Sequence, residues 1–453
     1  MKQLTPEYIE EIHSIVRNND IDKAHALLED LHPADIAELF QELELEESEY
    51  LINLLDVDTA ADVLMEMDED DRKEYLANLP KETIAKQFLE HLDSDDAVDL
   101  IQELDEKDRE EVISHIDDVE QAGDIIDLLK YDDDTAGGLM GTEMIVVNEN
   151  WSMPECVRQM RVQAEEMDEI YNVYVVDNEN RLKGVFPLKK MITHPSISKI
   201  KHVMFEEPIS VKTDTPLDEV AFDFEKYNLV AMPVVDSIGR LVGRITVDDV
   251  MDTVREQTER DYQLASGLSG DVETDDSMLT QTKARLPWLL IGIVGGIANS
   301  VILGNFEDGF ATNPAMALFI PLIAGTGGNV GVQSAAIIVQ GLANGSLDIK
   351  DASKQIGKEV GVSLINAFVI SLLVFVYNCF RLSPLDPTTI AVSSSLFAVV
   401  IFASVLGTLI PLILEKLKID PALATGPFVT ITNDIIGVVI YMAVCYSMLA
   451  WLG

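Results

Sequence analysis

The chain has 453 residues, with 32 Lys and Arg against 79 Asp and Glu and a formal net charge of −47. That balance excludes a nucleic-acid binder, because phosphate contacts require the opposite sign. The charge is unevenly placed: from Pro287 onward six Lys/Arg face nine Asp/Glu, a net of −3, which leaves −44 on the first 286 residues.

An intensely acidic soluble part, long enough for two or three domains and attractive to cations, is therefore joined to a nearly neutral membrane part. The N-terminus, MKQLTPEYIEEIHSIV, lacks a basic segment followed by an apolar one, so it does not read as a secretory signal, and the acidic half is expected to stay in the cytoplasm. Cys156, Cys379 and Cys445 are far apart and show no CxxC spacing, which suggests neither disulfides nor zinc.

Residues 1–137 read as an acidic helical domain. DIAELFQEL (35–43), TAADVLMEM (59–67) and DAVDLIQEL (96–104) resemble one another, and each follows a turn (LHPA, LDVD or LDSD) suited to capping a helix. The spacings of 24 and 37 residues are irregular, so the expectation is an all-α superhelix of helix pairs, its hand left open. Asp62 with Glu66, and Asp95 with Asp99, stand one helical turn apart, where like charges repel and a bound cation relieves the repulsion.

From residue 138 the pattern becomes a duplicated α/β unit, expected as copies over 138–200 and 201–246. YVVDNENRLKGVFPLKKM (174–191) matches PVVDSIGRLVGRITVDDV (233–250) with a shift of 59, pairing Asp177 with Asp236, Arg181 with Arg240, Leu182 with Leu241 and Gly184 with Gly243. Strand, polar turn, strand, helix is the order of a cystathionine-β-synthase (CBS) domain, and the two copies resemble a tandem CBS pair. Such pairs commonly regulate and often bind adenine nucleotides, so the resemblance permits ATP here. The first copy ends with Lys189 and Lys190, the second with Asp248 and Asp249.

Residues 247–282 are expected as a connecting helix, about 247–266, followed by a polar linker. Asp248, Asp252, Glu256 and Glu259 recur at four, four and three residues and line one side, with Asp249 and Asp261 close by and Arg255 and Arg260 offsetting part of the charge. One reading is a solvated, ion-paired surface. The other is a site for a hard cation such as Mg²⁺ or Ca²⁺, which oxygen-only donors suit.

Residues 283–453 are expected as a transmembrane domain of five helices. Uncharged runs fall at 288–306, 309–347, 360–380, 387–414 and, except for Asp434, 421–453, one span each. Lys283 with Arg285, then Lys350, Lys354 and Lys358, then Lys416 and Lys418 lie on alternate connections, so the positive-inside rule puts the N-terminal domains inside and the C-terminus outside. Trp288 and Trp451 stand at the two ends, as interface aromatics do.

The second run contains PLIAGTGGNVGVQSAA (321–336), whose glycines suit either close helix packing or a watery path lined by freed carbonyls; no GK[ST] follows, so it is not a phosphate loop. In the last run Asp434 lies where a charge costs roughly 2.5 to 3.5 kcal/mol on insertion scales. Gly426, Thr430, Asn433 with Asp434, Gly437 and Tyr441 fall on one small, polar stripe. A packing seam with a neutral, hydrogen-bonded Asp434 is one account; a pore wall built with the glycine-rich run is the favoured one. With a single charged residue inside the spans, proton-coupled transport is not expected.

GTGGNVGVQS (325–334), DPA (420–422) and the Asp434 to Gly437 segment, in the order acidic helical domain, CBS pair, connecting helix and five spans, resemble the MgtE family of magnesium channels or transporters over nearly the whole chain. The resemblance implies a homodimer with a pore on its twofold axis, hydrated Mg²⁺ held by Asp434 of each subunit, and cytosolic Mg²⁺ sites that close it. Pore-lining candidates are Asn329, Gln333, Gly325, Gly328, Asn433 and Gly437. Regulatory candidates are Asp95 and Asp99, Asp218, Asp249, Asp252, Glu256, Glu259 and Asp261, and Asp420. The chain departs from the family pattern at Arg255, Gln257 and Arg260 in the connecting helix and at Asn228 in the second CBS copy. Two other classes remain: a CBS-regulated transporter of another solute that senses nucleotide, and an enzyme, ranked last because no nucleophile–base pair, metal triad or phosphate loop appears.

Overall fold

Short helices with Asp or Pro at their starts, repeated with apolar residues on one face, build the first part of the chain. The computed structural model describes residues 5–29, 31–164, 167, 170–193, 198–270, 272, 276–343, 347, 352–384, 386–424 and 426–452, so Lys350 lies outside the described residues. The chain divides into two units, Met1–Val254 and Arg255–Gly453.

In the first unit the helices are α1 (Pro6–Arg17), α2 (Ile21–Leu28), α3 (Pro33–Phe40), α4 (Leu45–Ile52), α5 (Val57–Met65), α6 (Glu69–Ala77), α7 (Lys81–Thr83, continued as a π-helical turn over Ile84–Leu89), α8 (Ser94–Gln102), α9 (Glu106–Ile113) and α10 (Val119–Leu128). Two of the three expected caps form with a side chain: His32 accepts from the Ala34 amide and Asp56 from the Thr59 amide. The third, Asp93, stands at the cap position of α8 without a capping bond and instead pairs with Arg244 at 2.9 Å.

The 37-residue repeat is structural. Arg72 donates to the carbonyls of Leu64, Met65 and Met67 at the end of α5, and Arg109 donates to those of Gln102 and Leu104 at the end of α8. Under the same shift Arg72 maps onto Arg109, Met65 onto Gln102 and Met67 onto Leu104, so each of these two helix pairs carries one arginine that satisfies its own orphaned carbonyls. Arg72 also forms a bidentate, nearly buried pair with Glu103, joining the two repeats. Arg72→Ala leaves the Glu103 carboxylate buried without a partner and is expected to cost about 3 to 5 kcal/mol, read as a lower urea midpoint of the far-ultraviolet helical signal; a shift equal to that of an exposed Arg→Ala control counts against the pairing.

The CBS copies repeat one order. The first is β1 (Ile145–Asn148), α11 (Met153–Gln163), β2 (Val173–Val176), β3 (Leu182–Phe186) and α12 (Leu188–Thr193), with β4 (Phe205–Glu206) closing its sheet in the order β1-β2-β3-β4. The second is β5 (Val211–Lys212), α13 (Leu217–Tyr227), β6 (Ala231–Val235) and β7 (Leu241–Thr246), followed by α14 (Val247–Ala265). Both hairpins carry a bulge at matching positions, Val175/Val176 and Val234/Val235. The equivalent turns meet: Arg181 bridges Arg240, and the amides of Leu182 and Leu241 donate to the carbonyls of Gly239 and Asn180. Asn228 closes α13 at φ +51°, a left-handed conformation that asparagine tolerates. The second copy shares one hydrophobic core with the ten helices, through Val220, Phe224, Met232 and Ile245, whereas the first has its own around Val147, Cys156 and Phe186.

The second unit holds five helices long and apolar enough to cross a membrane: α15 (Met278–Gly304), α17 (Ile320–Ala343, preceded by a 3₁₀ turn from Pro314), α18 (Ala352–Arg381), α19 (Pro387–Lys416) and α20 (Pro427–Leu452), with the short α16 (Glu307–Thr312) between the first two. α15 starts nine residues before the expected Pro287, which lies inside it. α19 is central, burying Ser395, Ser404, Gly407 and Thr408, while α15 and α18 expose apolar faces such as Leu289, Ile293, Ile297 and Ile365, Phe368, Leu372. Trp451 is exposed at its helix end, but Trp288 is packed beside Gly267.

The end of α14 rests on the start of α20. Gly267 and Gly426 both have positive φ, +79° and +60°. A Cβ on Gly426 would overlap the Ala265 carbonyl and one on Gly267 would overlap the Pro427 ring, so glycine is required twice at this joint.

Candidate cation sites

Extended backbone at Asp93, the first turn of α8 and the segment leading into β1 bring a group of acids together with the end of β7. Asp93, Asp95, Asp96, Glu143, Asp248, Asp249, Arg244 and Thr246 line a cavity of about 290 Å³ together with Met167 and Tyr171. Asp93, Asp95 and Glu143 present ligand oxygens within 4.8 Å of one another. Glu143 is held by Ser94, whose amide and hydroxyl donate to it at 3.0 and 3.1 Å. Gly141 pairs with Arg244 through both backbone amides, and a Cβ there would come within 2.7 Å of Asp95 Oδ2, so the glycine makes room for that carboxylate.

Arg244 alone does not balance this charge. Burial, then the charges of Asp249, Asp96, Glu143 and Asp93, hold the Asp95 carboxyl well above the usual carboxylate range. Burial and the neighbouring acids, Asp249 and Asp93 first, push Asp96 up to about 7. Burial also raises Asp249, against the hydrogen bonds it accepts from Thr246. Carboxylates crowded this way and poor in cations fit a hard divalent ion, which takes oxygen ligands and relieves the repulsion.

The sign of the pH dependence follows. A carboxyl raised in the fold contributes stability that is fully present below its ordinary value near 4 and is lost as pH rises towards about 7. Without Mg²⁺ the first unit is therefore expected to gain up to about 1.4 kcal/mol per pH unit per titrating carboxyl between about pH 7 and 4. Mg²⁺ requires the ionised forms, so its binding flattens that slope and releases protons. Titration calorimetry at pH 7 in buffers of different ionisation enthalpy measures the release; identical heats in all buffers count against it.

Of the regulatory candidates, Asp95 and Asp249 meet in this cavity. Asp99 and Asp218 are exposed and do not line it, and Asp252 is exposed on α14. Glu256, Glu259, Asp261 and Asp420 belong to the second unit and are exposed there; Asp420 accepts from the Ala422 amide at 2.7 Å. The sequence reading did not select Asp93, Asp96, Glu143 or Arg244 for a site. The run of acids in LDSDDA was the local signal for the first two, whereas Glu143 and Arg244 arrive through tertiary packing.

In the membrane unit Asp434 is half-buried, with Oδ1 shielded and no hydrogen-bond partner among the described residues. It faces α17, where a Cβ on Gly328 would stand 3.3 Å from Oδ1. Gly325, Asn329 and Gln333 form an exposed face of α17. The expected single polar stripe of α20 divides: Asn433, Gly437 and Tyr441 are buried in the bundle, Tyr441 donating to the Met316 carbonyl at 2.8 Å, while Asp434 lies to one side. Asn433 is 1 % exposed and presses on Gly331, where a Cβ would overlap its amide. Asp434 is not the single acid within the spans, for α18 extends below the uncharged run and buries Glu359.

Family profiles match in the same order: "MgtE intracellular N domain" over residues 31–134, CBS domains over 136–196 and 200–256, and "MgtE: Divalent cation transporter" over 320–444. The magnesium transporter MgtE of Thermus thermophilus is 34 % identical over 446 residues, covering 97 % of this chain and 98 % of that protein. The chain belongs to the MgtE family of magnesium transporters. The MgtE of Enterococcus faecalis is 36 % identical over 432 residues, 94 % of each chain. The cytosolic domain of the Mg²⁺ channel MgtE, solved in complex with ATP, matches with a TM-score of 0.51 at 33 % identity, covering 54 % of this chain and 99 % of that one. This member of the family is thus a multi-pass membrane transporter, not an enzyme, with a helical domain and a CBS pair ahead of its five apolar helices.

Proposed function

We propose that this transporter is a Mg²⁺-selective channel of the cell membrane, a homodimer with Asp434 of each subunit in the pore, closed by cytosolic Mg²⁺ and serving magnesium homeostasis. The observation that carries the pore is the placement of Asp434: a shielded carboxylate oxygen without a partner among the described residues, opposite Gly328 and on a helix pair whose exposed α17 face carries Asn329 and Gln333. A polar face in an apolar unit needs water or a second copy against it. Two acids near one axis select cations, and Mg²⁺ held there keeps much of its water because it dehydrates reluctantly.

The soluble domains are cytoplasmic and the C-terminus lies outside, on the alternation of basic connections. The domains divide at 1–137, 138–200, 201–246, 247–282 and 283–453. Closure draws on the crowded carboxylates around Asp95 and Asp249 and on the acids of α14. Proteoliposome flux, with the transported ion and the Mg²⁺ on the domain side varied independently, tests the whole reading; flux indifferent to domain-side Mg²⁺ overturns the gating half. ATP at the CBS pair is a second regulatory input, favoured by the ATP complex of the similar cytosolic domain, and closure that follows ATP and not Mg²⁺ makes it the primary one.

A further inference from the structure

Glu359 is a buried acid that the pore reading does not use. It is 8 % exposed, on α18. Ser334 Oγ on α17 donates to Glu359 Oε1 at 2.7 Å, Ser404 Oγ on α19 donates to the same oxygen, and the two hydroxyls are 3.0 Å apart. One carboxylate oxygen therefore joins three helices.

Its neighbourhood explains why such a tie is needed. About one turn along α17, Gly331 meets Gly407 of α19 backbone to backbone and takes the Asn433 amide of α20 against its bare Cα. At Gly327, Gly328 and Gly331 the helix offers its neighbours no side chain of its own to interlock, so over this stretch its rotation is set by the buried Ile323, Ala335 and Ile338 to either side and by the directional bond of Ser334. A hydrogen bond to a carboxylate is directional, strong in a low dielectric and costly to leave unmade. Ser334 directly follows Gln333, and the exposed face carrying Asn329 and Gln333 turns with it.

We propose that Glu359 is a positioning residue for permeation: by accepting from Ser334 and Ser404 it fixes the rotation of α17, and with it the alignment of the Asn329 and Gln333 face with Asp434. This rests on the pore reading given above. Glu359 acts through Ser334 and does not contact the ion.

The test uses the full-length protein in proteoliposomes and measures Mg²⁺ flux and the preference for Mg²⁺ over Ca²⁺. Glu359→Gln keeps an acceptor oxygen for both hydroxyls and is expected to stay within about twofold of wild type, whereas Glu359→Ala and the Ser334→Ala/Ser404→Ala pair are expected to lose about fivefold in that preference. Impairment of Glu359→Gln equal to that of Glu359→Ala overturns the proposal, because the charge and not the hydrogen-bond geometry then matters. Wild-type preference in Glu359→Ala, or in the double serine variant, overturns it as well. If Glu359→Ala does not elute as wild type, the double serine variant and Glu359→Gln decide. Asp434→Ala runs alongside: wild-type selectivity in that variant means that the pore reading itself has failed, whatever Glu359 does.

Discussion

Asp434→Ala is expected to abolish selective Mg²⁺ flux while leaving a folded membrane unit. The two carboxylates supply the negative charge that selects a cation in the pore, and losing about 3 kcal/mol of that stabilisation of the permeating ion corresponds to a rate lower by about 100-fold. The effect on stability has the opposite sign. Oδ1 is shielded and unpartnered among the described residues, and removing a half-buried carboxylate with one such oxygen relieves a burden on the fold. Thermal melting in detergent is therefore expected at or above the wild-type temperature. Retained Mg²⁺ selectivity would sink the assignment, and a collapse of melting temperature would show that Asp434 serves the packing seam instead.

Neutralising three or more of Asp252, Glu256, Glu259 and Asp261 is expected to leave the pore open at millimolar Mg²⁺. Moving a two-state equilibrium from 1:99 to 99:1 takes about 5.5 kcal/mol. One closed-state site at ten times its Kd supplies about 1.4 kcal/mol, so about four ions are needed and the loss of the α14 sites is not made good by the cavity around Asp95. Asp95→Asn together with Asp249→Asn is expected to raise the Mg²⁺ needed for closure without removing closure. Channel current and protease sensitivity of residues 247–282 across a Mg²⁺ titration measure both; protection that follows ATP and ignores Mg²⁺ shifts the regulation to nucleotide.

Much of this architecture is written in local pattern. Apolar runs locate five membrane helices because lipid demands long uninterrupted segments, and a shift of 59 residues reveals the CBS pair because each copy repeats the same hairpin, down to its bulge. The glycine-rich segment and Asp434 are legible for the same reason, each being anomalous in its own surroundings.

What escaped is non-local. Glu143 and Arg244 are unremarkable in sequence and become part of a site because the helical domain shares a core with the second CBS copy. Glu359 follows Lys354 and Lys358, and a count of uncharged residues assigns it to a loop; only the partners Ser334 and Ser404, from helices distant in sequence, make it a membrane residue. Asp93 looks like a helix cap and is diverted to Arg244.

The glycine joint between α14 and α20 has a mechanical corollary. Gly426 precedes Asp434 by eight residues, about 12 Å along a helix, so a push delivered at Ala265 reaches the level of the acid without travelling along the polar linker and α15. Peptide order and force path are then different routes through the molecule. A single methyl group at Gly267 or Gly426 jams this bearing.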